Sequence, residues 1–496
     1  MKSLAFRATS VSMNFGNICA LDNVSFELEK GEVHCLAGEN GSGKSTLIKV
    51  INGVYVPEPG ALFQFGDKAP VSRISPADSK SRGIHVIWQD LSLFPDLSVG
   101  ENIIFDEFIA NPLSLTRSDS ALKRARCTLD ELGIDVDLDI PLGSLSIAQR
   151  QLVAISRVLQ TDAGIIFMDE PTASLTRTET QNLFKIVHKL SDKGISIVFV
   201  SHRLAEALEV SSRVTVLRDG KFVGTFPTEG MTQKRLTMLM TGQVINEKKR
   251  SQTTFGDTVL EVDKLTVQDQ FEDISFSLRS GEILGLTGLL GSGRSEISHA
   301  IFGMTKPENG RILIDGNDVS LKSNRDAIKH GVAYVSEDRL NIGLHQTQSI
   351  IKNTGVTTLK ALSKPSYFLD PERIRKLCRY WIDRLKVKVN TPDLAVNSLS
   401  GGNQQRIVLA KWLATNPKIL ILDSPTVGVD VRAKAGIFQI IRDLASKGMA
   451  IMLISDEAGE IHTHSDSIIV LREGRISHRL SPEKISEKEL EIVIND

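Results

Sequence analysis

Residues 38–46 decide the fold of this chain of 496 residues, and they read Gly38-Glu39-Asn40-Gly41-Ser42-Gly43-Lys44-Ser45-Thr46. The stretch matches the pattern G-x-x-x-x-G-K-[ST]. In that pattern the glycines let backbone N–H groups wrap phosphates, the lysine balances their charge and the hydroxyl binds Mg²⁺. A short apolar run precedes the stretch at residues 33–37, and a helical pattern resumes at Leu47. We therefore predict a strand, a nucleotide-binding loop and a helix, with Lys44 at the β- and γ-phosphates and Ser45 at the metal.

The chain carries this pattern a second time, with specific parts replaced. The second copy reads Gly288-Leu289-Leu290-Gly291-Ser292-Gly293-Arg294-Ser295-Glu296. Arg294 thus stands where the first copy has lysine. The shift from Asp169 to Asp423 is 254 (423 − 169), and the shift from His202 to Asp456 is again 254 (456 − 202). Two equal spacings do not arise by chance, so the chain contains an internal repeat.

The repeat predicts two domains of the α/β class, because in each copy buried apolar strands alternate with helical segments around a parallel sheet. The predicted bounds are residues 1–245 for the first domain, 246–257 for a polar linker and 258–496 for the second domain. A length of 496 residues is long for one hydrophobic core and comfortable for two.

Charge and composition restrict the partners and the compartment. Lysine and arginine number 59 against 60 acidic residues, so the net charge of −1 offers no general basic surface, and we expect no nucleic-acid partner. The four cysteines form no C-x-x-C pair, which argues against zinc ribbons, iron–sulfur sites and disulfides and favours a reducing, cytosolic setting. The apolar runs have only the length of strands, so we expect the chain not to span a membrane.

Two acids and a histidine are candidates for catalysis. Asp169 ends a predicted strand, where ligands of open α/β sheets collect, and can hold Mg²⁺ through water. Glu170 beside it is placed to orient or deprotonate an attacking water. Taken alone, such a pair is as typical of a surface charge cluster, and a lone histidine is more typical of a structural role. The spacing of 33 residues from Asp169 to His202 (202 − 169), repeated from Asp423 to Asp456 (456 − 423), favours a functional one.

Two further strings carry a family resemblance. The second copy contains Leu399-Ser400-Gly401-Gly402-Asn403-Gln404-Gln405, which resembles the signature motif of ATP-binding-cassette ATPases. The first copy contains Leu145-Ser146-Ile147-Ala148-Gln149-Arg150-Gln151, which resembles a weakened version. Gln89 is similar to the family's Q-loop glutamine, and Glu337 stands at its place in the second copy. More narrowly, the tandem copies, Arg294 and the Glu337-Asp338-Arg339 loop resemble fused ATPase subunits of bacterial monosaccharide importers of the ribose, galactose, xylose and autoinducer-2 types.

The resemblance implies a fold and two composite ATP sites. Each domain would consist of a RecA-like parallel-sheet core, an antiparallel β subdomain and a helical subdomain, the last at residues 90–143 and 338–398. Each ATP would lie between the nucleotide loop of one half and the signature of the other. Site one would combine Lys44, Ser45, Gln89, Asp169, Glu170 and His202 with Ser400, Gly401 and Gly402. Site two would combine Arg294, Ser295, Glu337, Asp423, Ser424 and Asp456 with Ser146, Ile147 and Ala148.

The resemblance also assigns roles at site one. Catalysis would depend on Glu170, His202, Gln89 and Lys44. The metal would be held by Ser45, Gln89 and Asp169. Phe15 lies 29 residues before Lys44 (44 − 15), a position suited to a ring that stacks on adenine, although core packing is an alternative role for it.

Site two is predicted to be unequal to site one. Ser424 and Val427 stand where the importer family usually has glutamate and arginine. Side chains at Ile147 and Ala148 replace the glycines that let backbone approach the γ-phosphate. We therefore predict that site two keeps nucleotide contacts through Arg294 and Ser295 but lacks a catalytic base. The segment at residues 265–268 also offers no aromatic ring for the base.

These features predict an ATPase subunit that uses ATP and Mg²⁺ to power import of a monosaccharide or a similar solute. It would lie at the cytoplasmic face of the cell membrane, docked on transmembrane permease subunits in two copies and serving, indirectly, a periplasmic or extracellular solute-binding protein. An alternative is a soluble tandem-cassette ATPase acting on ribosomes or nucleic acid, against which the short linker and neutral charge count. A regulatory nucleotide sensor is a third interpretation, and it would require an impaired site one.

Overall fold

The computed structural model describes residues 3–16, 18–110, 119–172, 175, 177–201, 203–243, 254–363 and 369–495. The chain divides into two units, Met1–Ile245 (unit 1) and Asn246–Asp496 (unit 2). Within the described ranges, no helix is both long enough and apolar enough to cross a membrane.

Unit 1 alternates strands and helices along the chain. Its strands are β1 (Leu4–Phe15), β2 (Ile18–Glu29), β3 (Val33–Ala37), β4 (Leu62–Phe65), β5 (Ile84–Ile87), β6 (Ile165–Asp169), β7 (Ser196–Val200), β8 (Arg213–Arg218) and β9 (Lys221–Pro227). Its α-helices are α1 (Lys44–Ile51), α2 (Pro76–Ser81), α3 (Val99–Ile103), α4 (Phe105–Ala110), α5 (Asp119–Leu132), α6 (Ile147–Val158), α7 (Arg177–Asp192), α8 (Leu204–Val210) and α9 (Gln233–Thr241).

Unit 2 repeats this order. Its strands are β10 (Thr258–Val267), β11 (Phe271–Arg279), β12 (Ile283–Gly288), β13 (Asn309–Ile314), β14 (Asn317–Asp318), β15 (Val332–Val335), β16 (Ile419–Asp423), β17 (Ala450–Ile454), β18 (Ser467–Arg472) and β19 (Arg475–Leu480). Its α-helices are α10 (Arg294–Ile301), α11 (Asn324–Lys329), α12 (Ile350–Gly355), α13 (Leu359–Leu362), α14 (Pro371–Arg384), α15 (Gly401–Leu413), α16 (Val431–Ser446), α17 (Ala458–His464) and α18 (Glu487–Asn495). A single π-helical turn spans Arg339–Gly343.

Each unit contains a six-stranded sheet and a smaller antiparallel sheet. In unit 1 the large sheet has the order β5-β6-β7-β3-β8-β9, with β9 antiparallel to β8 and the other pairs parallel. The large sheet of unit 2 has the matching order β15-β16-β17-β12-β18-β19. The antiparallel sheets are β2-β1-β4 and β11-β10-β13-β14. Helices α3–α5 and α12–α14 fall in the two segments expected to be helical, and the expected α/β class is confirmed.

Both faces of the large sheet are buried, which is why its strands are apolar throughout. In β6, Phe167 packs into the cluster beneath the antiparallel sheet, whereas Ile166 and Met168 pack into the cluster that holds α5, α6 and α7. Alternate residues of a strand point to opposite faces, so a two-sided core requires a continuous apolar run. The strand predicted at residues 33–37 and the strand predicted to end at Asp169 are both present.

The topology brings the catalytic candidates to one edge of each sheet. Strands β5, β6, β7 and β3 are neighbours and run parallel, so their carboxyl ends lie side by side. The loop after β3 is the glycine-rich stretch, and Gln89, Asp169 and Glu170 follow at or after the ends of β5 and β6. The carboxyl edge of a parallel sheet is where α/β proteins bind their ligands.

Candidate nucleotide site

Glycine is required at two positions of the loop in unit 1. Gly43 has a φ of 100° at the N-cap of α1, a conformation that strains any residue with a Cβ. A methyl group added at Gly38 would lie 2.3 Å from Ser42 Oγ and 2.5 Å from Leu217 O. The loop therefore stays close to its neighbours, and the free N–H groups at the start of α1 face outward for an anion.

Lys44 lies across this loop. Its Nζ donates hydrogen bonds to Gly38 O at 2.7 Å and Glu39 O at 3.0 Å. Burial lowers the pKa of Lys44, and the negative charges of Glu170 and Asp169 oppose that shift. The ammonium group is thus held at the mouth of the loop, next to the acids at the end of β6, where it can meet the charge of a phosphate.

Asp169 and Glu170 place two carboxyl groups at the end of β6. Burial raises the pKa of Asp169, and the charge of Glu170 raises it further. Glu170 has a φ of 50°, and its N–H donates to Val200 O at 2.9 Å. A left-handed backbone at a residue with a Cβ costs about 1–3 kcal/mol, and such strain clusters at active sites. Because the charge of Glu170 raises the cost of ionising Asp169, a cation fits this edge of the sheet.

Two further predicted residues of site one, Gln89 and Ser45, follow strands of the same sheet edge. Gln89 is exposed in the turn after β5, and Ser45 is exposed in the first turn of α1. Phe15 is 42% exposed at the end of β1, and its ring packs edge-on against Tyr55 at 5.2 Å between centroids. The ring therefore lies outside the buried core, and its stacking on adenine stays a prediction. His202 lies outside the described residues.

The loop of unit 2 keeps the shape of the first. Gly293 has a φ of 95° at the N-cap of α10, and a methyl group added at Gly288 would lie 2.3 Å from Leu471 O. Ser292 Oγ, like Ser42 Oγ in unit 1, is buried without a hydrogen-bond partner among the described residues. The cation differs, since Arg294 leaves Nη1 buried and without a partner there. The geometry for phosphate is thus retained although lysine is replaced.

A tyrosine of unit 2 engages Asp423, the counterpart of Asp169, and sequence reasoning missed this contact. The hydroxyl of Tyr334 donates to Asp423 Oδ2 at 3.0 Å, and His299 Nε2 lies 3.1 Å from the same hydroxyl. Asp423 is only 2% exposed, and burial raises its pKa. In unit 1 Val86 stands at the place of Tyr334, because the shift from Gln89 to Glu337 is 248 (337 − 89). Only a pairing of the two strands reveals this contact.

Unit 2 also concentrates negative charge where unit 1 has a neutral amide. Burial raises the pKa of Glu337, and the charges of Asp423 and Asp456 raise it further, whereas Arg294 opposes the shift. Arg294 thus sits among several carboxyl groups. In the described residues of either unit, no group of three or more His, Cys, Asp or Glu side chains is arranged to hold a metal ion unaided. A metal in either loop would need oxygen ligands from phosphate or water as well.

The two signature segments begin their helices differently. Ser146 Oγ accepts from Gln149 N at 3.2 Å, and Gln149 Oε1 accepts from Ser146 N at 3.0 Å, a reciprocal cap of α6. Ser400 does not cap α15 with its side chain, which accepts only from Asn403 Nδ2 at 3.1 Å. The hydroxyl oxygen of Ser400 therefore does not accept a backbone N–H of its own helix.

Gly402 has a packing reason to be glycine that sequence reasoning did not foresee. A methyl group added at Gly402 would lie 2.4 Å from the Cβ of Ala433 in α16. Gly401 is closely surrounded as well, because an added methyl group would lie 2.9 Å from Gly428 O. The glycines therefore allow α15 to approach α16, in addition to any approach of backbone to a phosphate.

The comparisons agree with this geometry. A family model described as ABC transporter matches residues 21–173 and 271–427, one match in each unit, which defines the class as a tandem ATP-binding-cassette ATPase. A putative ribose/galactose/methyl galactoside import ATP-binding protein of Agrobacterium fabrum is 40% identical over 491 residues, covering 99% of this chain and 97% of that protein. The chain belongs to the ABC transporter family, among its ribose/galactose/methyl galactoside import ATP-binding proteins, and as such it is an ATPase that binds ATP.

A second relative and a solved structure are also similar to this chain. A ribose import ATP-binding protein of Geobacillus kaustophilus is 41% identical, covering 94% of both chains. Among solved structures, an archaeal ribosome recycling factor in complex with a ribosomal stalk protein is similar with a TM-score of 0.60. It is 20% identical and covers 94% of this chain and 88% of that chain. At that identity the likeness shows the fold alone.

Proposed function

We propose that this protein hydrolyses ATP to power the import of a monosaccharide or a similar solute through partner permease subunits. The observation that carries the proposal is the arrangement in unit 1. Lys44 lies over the glycine-rich loop, and Asp169 and Glu170 extend from the neighbouring sheet edge toward it. The curated relatives of nearly equal length, whose names state ribose or galactose import, support a sugar as the solute.

The residues of unit 1 divide the work of hydrolysis. Lys44 would balance the charge of the β- and γ-phosphates, and Glu170 would orient the attacking water and accept its proton. Mg²⁺, when bound, would neutralise phosphate charge and would be held by Ser45, Gln89 and Asp169. His202 would sense the γ-phosphate from the switch position. The complementary signature would be Ser400, Gly401 and Gly402 of unit 2.

We further propose that the two sites are unequal. Ser424 has no carboxylate to accept a proton, and its hydroxyl is far too weak a base to replace one. Arg294 keeps a positive charge, Ser295 a hydroxyl and Asp423 a carboxylate, so nucleotide binding in unit 2 remains possible without turnover. Site two would then act as a clamp that stays occupied while site one hydrolyses ATP.

We also propose domain bounds, partners and a location for the chain. The two domains would be residues 1–245 and 258–496, joined by the linker at 246–257. The chain would dock from the cytoplasmic side on two permease subunits that receive solute from a binding protein.

Cells with and without the permease genes would be fractionated, and uptake of radiolabelled ribose and galactose would be measured with the wild-type chain and with Glu170→Gln. We expect membrane association only with the permease, and uptake only with wild type. Equal association in both strains, or association with ribosomes instead, would contradict docking through a permease.

A further inference from the structure

The segment that follows Glu337 in unit 2 is longer than the segment that follows Gln89 in unit 1. Two asparagines with matching hydrogen bonds show where the extra residues lie. Asn102 Oδ1 accepts from Phe94 N at 2.8 Å, and Asn353 Oδ1 accepts from His345 N at 2.8 Å, with matching Nδ2 bonds to backbone carbonyls on both sides. These asparagines are therefore equivalent, with a shift of 251 (353 − 102), whereas Gln89 and Glu337 differ by 248. Unit 2 thus has three extra residues (251 − 248) between these points. They fall in the π-helical turn Arg339–Gly343.

Arg339 opens this turn and contacts the loops around the signature. Its Nη1 lies 3.5 Å from Val427 O, to which it donates. A methyl group added at Gly401 would lie 3.3 Å from Arg339 Nη2, and one added at Gly428 would lie 3.6 Å from it. The guanidinium group therefore lies against both glycine backbones. Its Nε is buried without a partner among the described residues, and burial lowers the pKa of this side chain without removing its charge at neutral pH.

The far end of the turn is fixed to the signature helix. Lys411 of α15 donates from Nζ to Gly343 O at 2.6 Å, and its side chain is buried. Between the two anchors, Leu340 and Ile342 are 51% and 64% exposed. The turn is thus hydrogen-bonded at one end to the Val427 loop beside the signature and at the other end to the signature helix, and its middle is open to solvent. A displacement of the turn would be transmitted to the signature segment through these two cations.

Unit 1 has neither the arginine nor the signature glycine that meet in unit 2. Leu91 directly follows Asp90 where Arg339 follows Asp338, and its side chain packs at the edge of the core. Ile147, which is 53% exposed, stands where unit 2 has Gly401. A side chain at that position would compete with a guanidinium for the same space. The arginine therefore occurs in the half whose signature has a glycine to receive it, and leucine occurs in the other.

We propose that Arg339 is a positioning residue, which holds the backbone of Gly401 and of Val427-Gly428 in the conformation that ATP hydrolysis requires. The proposal rests on the proposed function, in which the signature of unit 2 serves the competent ATP site. A planar guanidinium suits this task, because one edge donates to Val427 O while the rest of the group packs against the two glycines. The Q-loop of unit 2 is thereby connected to its signature within one unit.

The test compares Arg339→Gln, Arg339→Lys and the control Leu340→Ala in the full chain. Steady-state ATP turnover, KM for ATP, nucleotide binding and thermal stability are measured for each. We expect Arg339→Gln to lower kcat on the order of tenfold with KM unchanged within about twofold, as for an interaction made only in the transition state. Arg339→Lys keeps the charge but not the planar guanidinium group, so its kcat should lie between those of the wild type and of Arg339→Gln. Leu340→Ala, in the same turn but exposed, should match wild type.

Ser400→Arg separates this inference from the proposed function. Ser400 is exposed and does not cap its helix, so we expect the folded chain to accept the larger side chain, which should block the signature. Loss of turnover in Ser400→Arg together with wild-type kcat in Arg339→Gln would overturn the role of Arg339 alone. Wild-type turnover in Ser400→Arg would overturn the proposed role of the signature. A fall in kcat for Arg339→Gln that follows a loss of thermal stability, with no recovery in Arg339→Lys, would also contradict positioning.

Discussion

Glu170 and Ser424 share one backbone conformation although only the first carries a carboxylate. Their φ angles are 50° and 45°, and each donates its N–H to the last residue of the neighbouring strand, Val200 O and Ile454 O, at 2.9 Å. Ser424 in unit 2 therefore has the same strained backbone that Glu170, the predicted catalytic residue, has in unit 1. The difference between the two units at this position is one of chemistry and not of architecture.

Replacing Glu170 with glutamine should abolish steady-state ATP hydrolysis while leaving MgATP binding intact. A positioned general base contributes about 10²–10⁴ in rate, and the amide preserves the size of the side chain without its basicity. Phosphate release and equilibrium nucleotide binding by the full chain are the measurements. Glu229→Gln, an exposed acid in the same unit, is the control and should behave as wild type. Near-normal turnover in Glu170→Gln would show that another group activates the water.

Lys44→Ala and Arg294→Ala should have unequal effects. Lys44 contacts the loop of the unit in which Glu170 is the proposed base, so its loss should abolish turnover. Arg294 lies in the unit that has Ser424 at the matching position, so on the proposal its loss should leave part of the turnover while weakening nucleotide retention there. Nucleotide trapping and turnover on the assembled complex give the comparison, with Arg311→Ala as an exposed arginine control. Equal and complete loss in both variants would mean that the second site is as essential as the first.

The stability of unit 2 should rise with pH between about 8 and 10.5 because of Lys411. Burial lowers the pKa of Lys411 to about 8, so across this window the unfolded chain holds a proton that the folded chain has released. Each unit of pKa difference corresponds to ~1.4 kcal/mol. Lys411→Met should flatten this rise in urea unfolding midpoints, whereas Lys447→Met, at an exposed position, should not. A rise of wild-type size in Lys411→Met would exclude Lys411 as its source.

Acid should destabilise unit 2 through His464. Burial, then the charges of Arg442 and Lys434, lower the pKa of His464 to about 3, and its ring stacks on Phe438 at 3.8 Å between centroids. In the unfolded chain His464 binds a proton near pH 6.5, whereas in the folded chain it stays neutral. The free energy of unfolding therefore falls as the pH drops below about 6.5. His464→Gln should weaken this dependence between about pH 6.5 and 4.5. His330→Gln, an exposed control, should keep it, and an unchanged acid slope in His464→Gln would refute the assignment.

Much of the fold follows from the sequence, because its decisive signals are local. The glycine-rich loop, the apolar strands and the acids that end them lie within short segments, and a buried parallel sheet needs such runs. The contact of Tyr334 with Asp423 was not predicted, because its partners lie 89 residues apart (423 − 334) and meet only when β15 pairs with β16. The buried position of Lys411 was missed for the same reason, since long-range packing decides it.

The signature glycines show a second limit of sequence reasoning. An interpretation based on the nucleotide alone explains why Gly401 and Gly402 lack side chains, but the structure adds Ala433 and Arg339 as neighbours that require the same space. Two independent constraints act on the same positions. Sequence reasoning singled out these positions but could not find the packing constraints, because those neighbours are 31 and 62 residues away along the chain (433 − 402 and 401 − 339).

The exposed ring of Phe15 has a consequence for how each unit would hold a nucleotide. If that ring stacks on the base, unit 1 contacts both the base and the phosphates, whereas unit 2, with no aromatic residue at 265–268, lacks a stacking partner of this kind. Stacking adds affinity without selecting a base, because every base has a π-face. The two units would therefore differ in how long they retain a nucleotide and not in which nucleotide they accept.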